Sequence, residues 1–400
     1  MTDWITRHPE LVLAAIKIGV MIFLLLTAVA YAVWFERKVI AHIQSRWGPY
    51  RVGPHGLLQP VADGLKFLLK EDIVVSQVTS RFIYLLAPFL AVSLALLAVA
   101  VIPFGPAEFE LLGATSGLFI ADIEIGLLFV LAVTSLGVYS IALAGWSSNS
   151  KYPLLGALRS SAQMVSYELA LTFSVVGVLL LAGTLNLRAI VEAQAAQGLW
   201  FIVPQFVGFF CFFISSIAET NRSPFDLPEA ETELVGGFHT EYSSMKFAMF
   251  FLAEYAHIFT ASFLVTLLFL GGWLSPFPQS GAWAATRYLP VAAMAALGLV
   301  LLVDAARLRH PLHRLLLGVL GLGVLGMGGL LTLEPLLTIV QGPFWFLAKS
   351  FVLLFIFVWI RSTLPRFRYD QLMNFGWKFL VPLAVLNIVV TSFLVAWQGS

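Results

Sequence analysis

Ten long runs of apolar residues, separated by short polar segments, constrain this chain more than any other feature. A helix needs about 20 apolar residues to cross the hydrocarbon core of a membrane. Because 60% of the 400 residues are hydrophobic and only 11% are charged, a soluble protein of this composition would lack the polar surface to cover its core. We therefore predict an all-α fold, a polytopic bundle of about ten transmembrane helices in a single membrane domain covering residues 1–400. The runs occupy 11–35, 82–104, 120–144, 163–183, 199–218, 247–270, 288–304, 315–333, 343–360 and 377–397.

The distribution of basic residues predicts how these spans are oriented. If the N-terminus lies outside, the inside segments carry 18 of the 23 Lys and Arg residues, the outside segments carry three, and two fall within spans. Cytoplasmic loops of membrane proteins are enriched in Lys and Arg, so we predict an outside N-terminus and cytoplasmic main loops. The inside segments are 36–81, 145–162, 219–246, 305–314 and 361–378.

Residues 57–70, between the first two spans, have an amphipathic pattern. Leu65 and Leu68 fall near one helical face, whereas Asp63 and Lys66 fall on the other. This pattern predicts a helix lying in the membrane interface. A solvated loop helix is the alternative interpretation.

The segment 218–242 is acidic, although inside loops are usually basic. A short helix starting near Asp226 would place Glu229 and Glu233 on one face and Glu231 nearly opposite. Six of the chain's 22 acids lie in this segment: Glu219, Asp226, Glu229, Glu231, Glu233 and Glu241.

Four acids occur within predicted spans: Glu124, Glu168, Glu219 and Glu254. An ionised carboxylate is costly in lipid, so such groups face a protein interior, pair with a base or become neutral. A buried Glu can exchange protons near neutral pH, as a proton relay requires. His257 follows Glu254 by three residues, on the same helical face. The alternative is that each acid is only a structural hydrogen-bonding group.

Other motifs point to no cofactor site on this chain. The single cysteine, Cys211, excludes an internal disulfide or an iron–sulfur cluster held by this chain alone. His310 and His313 lack the further ligands that a zinc site needs, so we predict no metal site. The GLGVLG stretch at 321–326 matches a dinucleotide fingerprint but lies in an apolar run, where glycines favour close helix packing.

Two functional classes fit the composition and the acids. A secondary transporter would use them to bind a coupling ion or a substrate, whereas a membrane component of a redox pump would use them to carry protons. Composition does not separate these classes.

Four longer stretches resemble the H subunit of proton-pumping NADH:quinone oxidoreductase, respiratory complex I. They are FERKVIAHIQSRWGPYRVGPHGLLQPVADGLKFLLKED (35–72), GWSSNSKYPLLGALRSSAQMVSYE (145–168), the acidic segment continuing to His257, and WIRSTLPRFRYDQLM (359–373). The resemblance implies a membrane protein that helps form a quinone chamber and docks the peripheral arm. It also implies that FMN and iron–sulfur clusters lie on partner subunits, that quinone is the substrate, and that small membrane subunits lead on to antiporter-like subunits.

The resemblance assigns residues to two groups. Those expected at the quinone chamber are Glu36, Arg37, Asp63, Lys66, Asp72, Arg222, Glu229, Glu231, Glu233 and Glu241. Those expected on a proton path are Glu124, Glu168, Glu219, Glu254, His257, Arg361 and Arg366, the arginines offsetting negative charge.

One segment departs from the family pattern. Residues 274–341 hold two extra apolar runs where the family usually has a short loop, which implies a core of about eight spans plus two near 288–333. Related membrane-bound hydrogenases and deazaflavin-dependent dehydrogenases keep an equivalent protein, so they remain alternatives, as does a stand-alone ion-coupled transporter. The resemblance implies the bacterial inner membrane as the location and no nucleic-acid partner.

Overall fold

The predicted helical bundle is confirmed by the computed structural model, which describes residues 9–106, 108–111, 114–226, 235–277, 281–308 and 310–399. Nine helices in these ranges are long and apolar enough to cross a membrane, and one shorter apolar helix is a tenth candidate. The helices are α1 Pro9–Ile43, α2 Gln59–Leu69, α3 Arg81–Val99, α4 Gly126–Ser147, α5 Lys151–Ala182, α6 Leu187–Gln197, α7 Phe206–Glu219, α8 Ser244–Leu268, α9 Leu289–Arg307, α10 Pro311–Leu330, α11 Glu334–Thr363, α12 Tyr369–Phe375 and α13 Val381–Gly399. A π-turn, Gly376–Leu380, makes α12 and α13 continuous.

Two local features differ from the sequence prediction. The run 199–218 is not helical throughout, because α7 begins only at Phe206. Pro204 lies just before this start, and proline disfavours helical conformation at the preceding residue. The structure also contains a two-stranded antiparallel hairpin that the apolar pattern did not predict; within the described ranges its strands, β1 Glu108–Leu111 and β2 Ala114–Gly117, are the only ones.

The connections predicted to lie inside are gathered at one end of the bundle, here called the loop face (44–80, 148–150, 220–226, 235–243 and 364–368). Hydrogen bonds join them: Thr79 N–H to Ser147 O at 3.1 Å, Ile73 N–H to Ser243 Oγ at 2.9 Å and Phe367 N–H to Pro224 O at 3.0 Å. These hydrogen-bonded connections therefore meet at one end of the described bundle, whereas the side of the membrane on which this face lies stays a prediction.

The predicted interfacial helix is α2, which lies across the loop face beside the start of α8. Leu68 and Leu69 on its apolar side are exposed, which suits contact with lipid. The Ser244 hydroxyl donates to the carbonyl of Phe67 at 2.8 Å, and the rings of Phe67 and Phe247 pack 6.1 Å apart. These contacts fix α2 against the membrane end of α8.

Two charged residues of α1 interrupt its long apolar stretch. Lys17 and Glu36 are separated by roughly 28 Å along the helix, at a rise of 1.5 Å per residue. This distance is close to the hydrocarbon thickness of a bilayer, about 30 Å. Glu36 lies towards the loop face, and Lys17 lies towards the opposite end of the span.

A second lysine within the spans, Lys349 of α11, is fully partnered. Its ammonium donates to the carbonyls of Leu270, Gly272 and Leu274 at 2.7, 2.9 and 2.6 Å. All three N–H donors of the ammonium are thus used on the chain that follows α8. The contact anchors α11 to the end of α8 that lies away from the loop face.

The segment 274–341, where two extra apolar runs were found, contains α9 and α10. These helices pack chiefly on each other. A Cβ at Gly321 would lie 3.2 Å from the carbonyl oxygen of Gly298 and 3.0 Å from Leu302. The glycines of the GLGVLG stretch therefore include one that permits close helix packing, as predicted.

Gly321→Leu should separate α9 from α10, because overpacking a tight contact costs about 1–3 kcal/mol. Gly323→Leu is the matched control, since nothing lies within 4 Å of a Cβ at Gly323. We expect faster proteolysis at the α9–α10 connection for the Gly321 variant alone, measured in native membranes. Equal proteolysis of both variants would contradict this packing.

Candidate functional site

A buried group of charges lies where α1, α8 and α11 meet the segment after α7. Glu36 of α1 and Arg222 are each only 5% exposed. One Glu36 oxygen accepts from Arg222 Nη1 at 3.4 Å and also from Arg361 Nη1. The other accepts from the Tyr255 hydroxyl at 2.7 Å. Both carboxylate oxygens of a buried acid are therefore satisfied.

Arg222 also pairs with Glu254 of α8, so one guanidinium bridges two acids. Its plane lies over the Tyr255 ring, with the guanidinium carbon 4.4 Å from the ring centroid. We call Glu36, Arg222, Glu254 and Arg361 the ion cluster. Its two carboxylates and two guanidinium groups balance in formal charge, which reduces the cost of burying them.

A cavity of about 60 Å³ adjoins the ion cluster. Glu254, His257 and His239 line it, and Glu219 at the end of α7 lines it as well. A cavity needs about 10–15 Å³ to hold one water molecule, so this one has room for several. Water could therefore connect Glu254 with Glu219 by hydrogen bonds.

Beyond the cavity, two hydroxyls of α4 lead from Glu219 to Glu168. Thr134 hydrogen-bonds the Glu219 side chain, and Glu168 lies close enough to interact with it electrostatically. The hydroxyl of Ser135, the next residue, donates to Glu168 Oε1. One series of acids thus runs from the loop face into the bundle, in the order Glu36, Glu254, Glu219 and Glu168.

The remaining chamber residues described by the structure form a separate group near α2. Arg37 pairs with Asp63 at 2.7 Å, both partly exposed, and Lys66 is exposed. Asp72 pairs with Lys246 at 2.7 Å. The backbone carbonyl of Glu241 accepts from the Tyr84 hydroxyl at 2.7 Å. We call this set the rim group: Arg37, Asp63, Lys66, Asp72, Glu241 and Lys246.

The predicted burial of Glu124 within a span was wrong, whereas its place on a proton path stays a prediction. Glu124 is exposed and lies in the turn before α4, at the end of the bundle away from the loop face. The apolar run 120–144 includes this turn, whereas the helix begins only at Gly126. Arg366 pairs with Asp226 at 3.0 Å on the loop face and so lies outside the series of acids.

Some predictions concern residues that the structure does not describe. Glu229, Glu231 and Glu233, with the short helix expected to carry them, lie outside the described residues. Their places in the quinone chamber stay predictions.

The sequence reasoning missed several groups that complete the series. Tyr255, Thr134 and Ser135 supply its hydroxyls, and each is an ordinary residue of an apolar helix with no motif to mark it. Gln163 and Tyr167 lie near Glu168 in sequence but contact other parts of the chain. Gln163 donates to the carbonyls of Ala218 and Phe225, and the Tyr167 hydroxyl donates to that of Leu372, so both hold α5 to its neighbours.

Within the described ranges, no group of three or more His, Cys, Asp or Glu side chains is arranged to hold a metal ion.

Glu36→Gln should destabilise the protein far more than Asp63→Asn. Removing one partner from a buried ion pair costs about 3–5 kcal/mol, because Arg222 and Arg361 would lose their compensating charge. A partly exposed pair such as Arg37–Asp63 contributes only about 0–1 kcal/mol. Thermal unfolding of the complete assembly purified in detergent compares the two variants. Equal shifts in melting temperature would contradict the burial of the ion cluster.

Comparisons with known proteins agree with the architecture and with the resemblance. A family described as NADH dehydrogenase matches residues 16–392. One of the NADH-quinone oxidoreductase H subunits of Solibacter usitatus is 52% identical over 390 residues, covering 96% of this chain and 97% of the relative. An H subunit of Koribacter versatilis is 50% identical, covering 96% and 98%, and one of Geobacter metallireducens is 45% identical, covering 94% and 93%. The similarity extends over nearly the whole of each chain, and this protein therefore belongs to the family of NADH-quinone oxidoreductase H subunits, which are parts of an enzyme complex.

Proposed function

We propose that this chain forms part of a quinone chamber and couples quinone reduction to proton translocation through its buried acids. The observation that carries the proposal is the continuous series from Glu36 through Arg222 and Glu254, across the cavity, to Glu219 and Glu168. Ionisable side chains are costly to place inside a membrane protein, and those that occur there usually serve a function.

The chamber would lie against the loop face, between this chain and partner subunits of the peripheral arm. Electrons from NADH would reach the quinone through FMN and iron–sulfur clusters on those subunits, as the family resemblance implies. The rim group would line the approach, because α2 lies in the membrane interface, where an apolar quinone enters from lipid. The ion cluster lies deeper in the bundle than the rim group and would respond to the change of charge that accompanies quinone reduction.

Reduction of a quinone to a quinol takes up two electrons and two protons. Proton uptake leaves the surrounding acids with a net negative charge, and buried charges are screened weakly, so acids nearby respond to it. Glu36 and Glu254 share Arg222, so the charge of one acid acts on the other through the same guanidinium. A change in the protonation of Glu36 would alter how strongly Arg222 pairs with Glu254. The protonation of Glu254 would then change, and a proton could pass between Glu254 and Glu219 through water in the cavity.

The charge distribution supports the location of this reaction. Eighteen of the 23 Lys and Arg residues lie in the segments predicted to lie inside, which favours a cytoplasmic loop face and an outside N-terminus. The proton path would continue from Glu168 to small membrane subunits that lead to antiporter-like subunits. The bacterial inner membrane is the location this assignment implies.

Glu219→Gln tests the path at its centre. The amide keeps the size and polarity of the side chain but cannot exchange a proton. We expect proton translocation to be lost and quinone reduction to slow with it, measured as NADH oxidation and acidification in inverted membrane vesicles. Glu192→Gln is the control, an exposed acid paired with Arg188 at the opposite end of the bundle. An assembled Glu219 variant that reduces quinone and pumps like the parent would refute the proposal.

Arg222→Lys tests whether one cation must bridge two acids. A lysine keeps the charge but cannot reproduce the planar fork that contacts both carboxylates. Losing one charge-assisted contact costs about 1.5–3 kcal/mol, so we expect coupled quinone reduction to fall about tenfold or more. Arg366→Lys, at a partly exposed pair with a single acid, should leave the rate within about twofold. Equal effects of the two substitutions would count against the bridging role.

A further inference from the structure

A large apolar groove opens on the lipid-facing side of the bundle, at the end away from the ion cluster. Its volume is about 580 Å³, within the roughly 300–1,000 Å³ of sites that bury a small molecule. It lies between α1, the end of α3, α8, α11 and the segment that follows β2. Its walls include Val20, Leu24, Ile102, Phe119, Phe263 and Leu347.

Lys17 is the single charged residue among the described residues that line this groove. Its ammonium donates to the carbonyl of Phe119 at 2.8 Å and lies 5.3 Å from the centroid of the Phe119 ring. An ammonium has three N–H donors, and no carboxylate in the described part of the chain pairs with this one. By contrast, all three N–H donors of the Lys349 ammonium form hydrogen bonds to backbone carbonyls. Lys17 therefore retains donors and a positive charge for an anion.

The groove runs along α1 from Leu13 to Ala28, and Lys17 lies about one turn from its Leu13 end. The long stem of a lysine lets its ammonium reach from within a span towards the lipid head groups. From Lys17 to Ala28 the helix rises roughly 16 Å. This is about half of the 30 Å hydrocarbon core. A cation near one end of an apolar groove of this length complements the anionic head group and an acyl chain of a phospholipid.

We propose that this groove binds one anionic phospholipid of the leaflet opposite the ion cluster. The phosphate contacts Lys17, and an acyl chain occupies the groove beside α1 and α8. A quinone has no anionic group for Lys17, and the charge of the site therefore favours a phospholipid. The bound lipid bridges α1 to the segment after β2, which supplies the carbonyl that Lys17 already contacts. This site is independent of the quinone chamber and of the proposed proton path.

Photoactivatable lipids test the proposal in the assembled complex. Phosphatidylglycerol and phosphatidylcholine, each with a diazirine in one acyl chain, are incorporated separately into nanodiscs with the purified complex, and labelled peptides are identified by mass spectrometry. We expect the anionic lipid to label the groove segments 13–28 and 117–120 about fivefold more than the zwitterionic lipid, the preference that one cation confers.

Four variants make the result specific. Lys17→Met should abolish the preference for the anionic lipid, whereas Lys17→Arg, which keeps the cation, should retain it even if the methionine variant assembles poorly. Ala28→Phe should reduce labelling by both lipids because it fills the groove. Ala296→Phe, on the exposed side of α9, is its control and should change neither.

Two outcomes would overturn the proposal. The first is equal labelling by both lipids in the parent complex, or a preference that Lys17→Met leaves unchanged. The second is occupation of the groove by a polypeptide: Val20→Cys carrying a photoreactive cross-linker would then join this chain to a partner subunit, and neither lipid would label the groove.

Discussion

Burial of the Glu36 carboxylate is the constraint on which the site depends. A carboxylate taken out of water keeps its charge only where cations and hydrogen-bond donors replace the lost solvent. Arg222, Arg361 and the Tyr255 hydroxyl do so, and they come from three separate parts of the chain. Their convergence fixes how α1, α8 and α11 meet, so the electrostatics of one acid and the packing of the bundle are inseparable.

The ion cluster also explains why the path beyond it is polar. Arg222 is shared with Glu254, so any change of charge at Glu36 reaches α8 directly. The cavity then provides space for water between α8 and the end of α7, and Thr134 and Ser135 carry hydroxyls from Glu219 to Glu168. Direct contacts and a space for water thus alternate between Glu36 and Glu168.

Opposite ends of α1 have contrasting electrostatic environments. Near the loop face, Glu36 is surrounded by cations and its charge is compensated within the chain. Towards the opposite end of the span, Lys17 retains unused donors beside an apolar groove. Lys349 has a third kind of environment, in which backbone carbonyls accept hydrogen bonds from all three N–H donors of its ammonium. Each charged residue in a span therefore has to be interpreted from its partners, since its position in an apolar run does not distinguish these cases.

Hydropathy was sufficient to predict the helices, because every span must satisfy its backbone hydrogen bonds internally and therefore becomes a helix. It was less reliable at helix ends, where it enclosed the turn that carries Glu124 within a span and missed the late start of α7 after Pro204. The strand pair 108–111 and 114–117 was not predicted, since short strands have no distinctive apolar pattern. The family resemblance named Glu36, Arg222, Glu254 and Arg361, which the structure brings together, whereas their roles in a chamber and on a proton path stay predictions.

The sequence by itself determined that this is a helical membrane protein with alternating loops and acids in its spans, because length and polarity alone decide whether a segment can cross lipid. Only the tertiary structure decided which charges meet. Glu36 and Arg361 are 325 positions apart, and Tyr255 is 219 positions from Glu36. No local pattern encodes such contacts, because they depend on how whole helices pack. That packing joins Glu36, Arg222, Glu254 and Arg361 into one cluster. It also places Lys17 beside an apolar groove, where no acid of the described residues pairs with it.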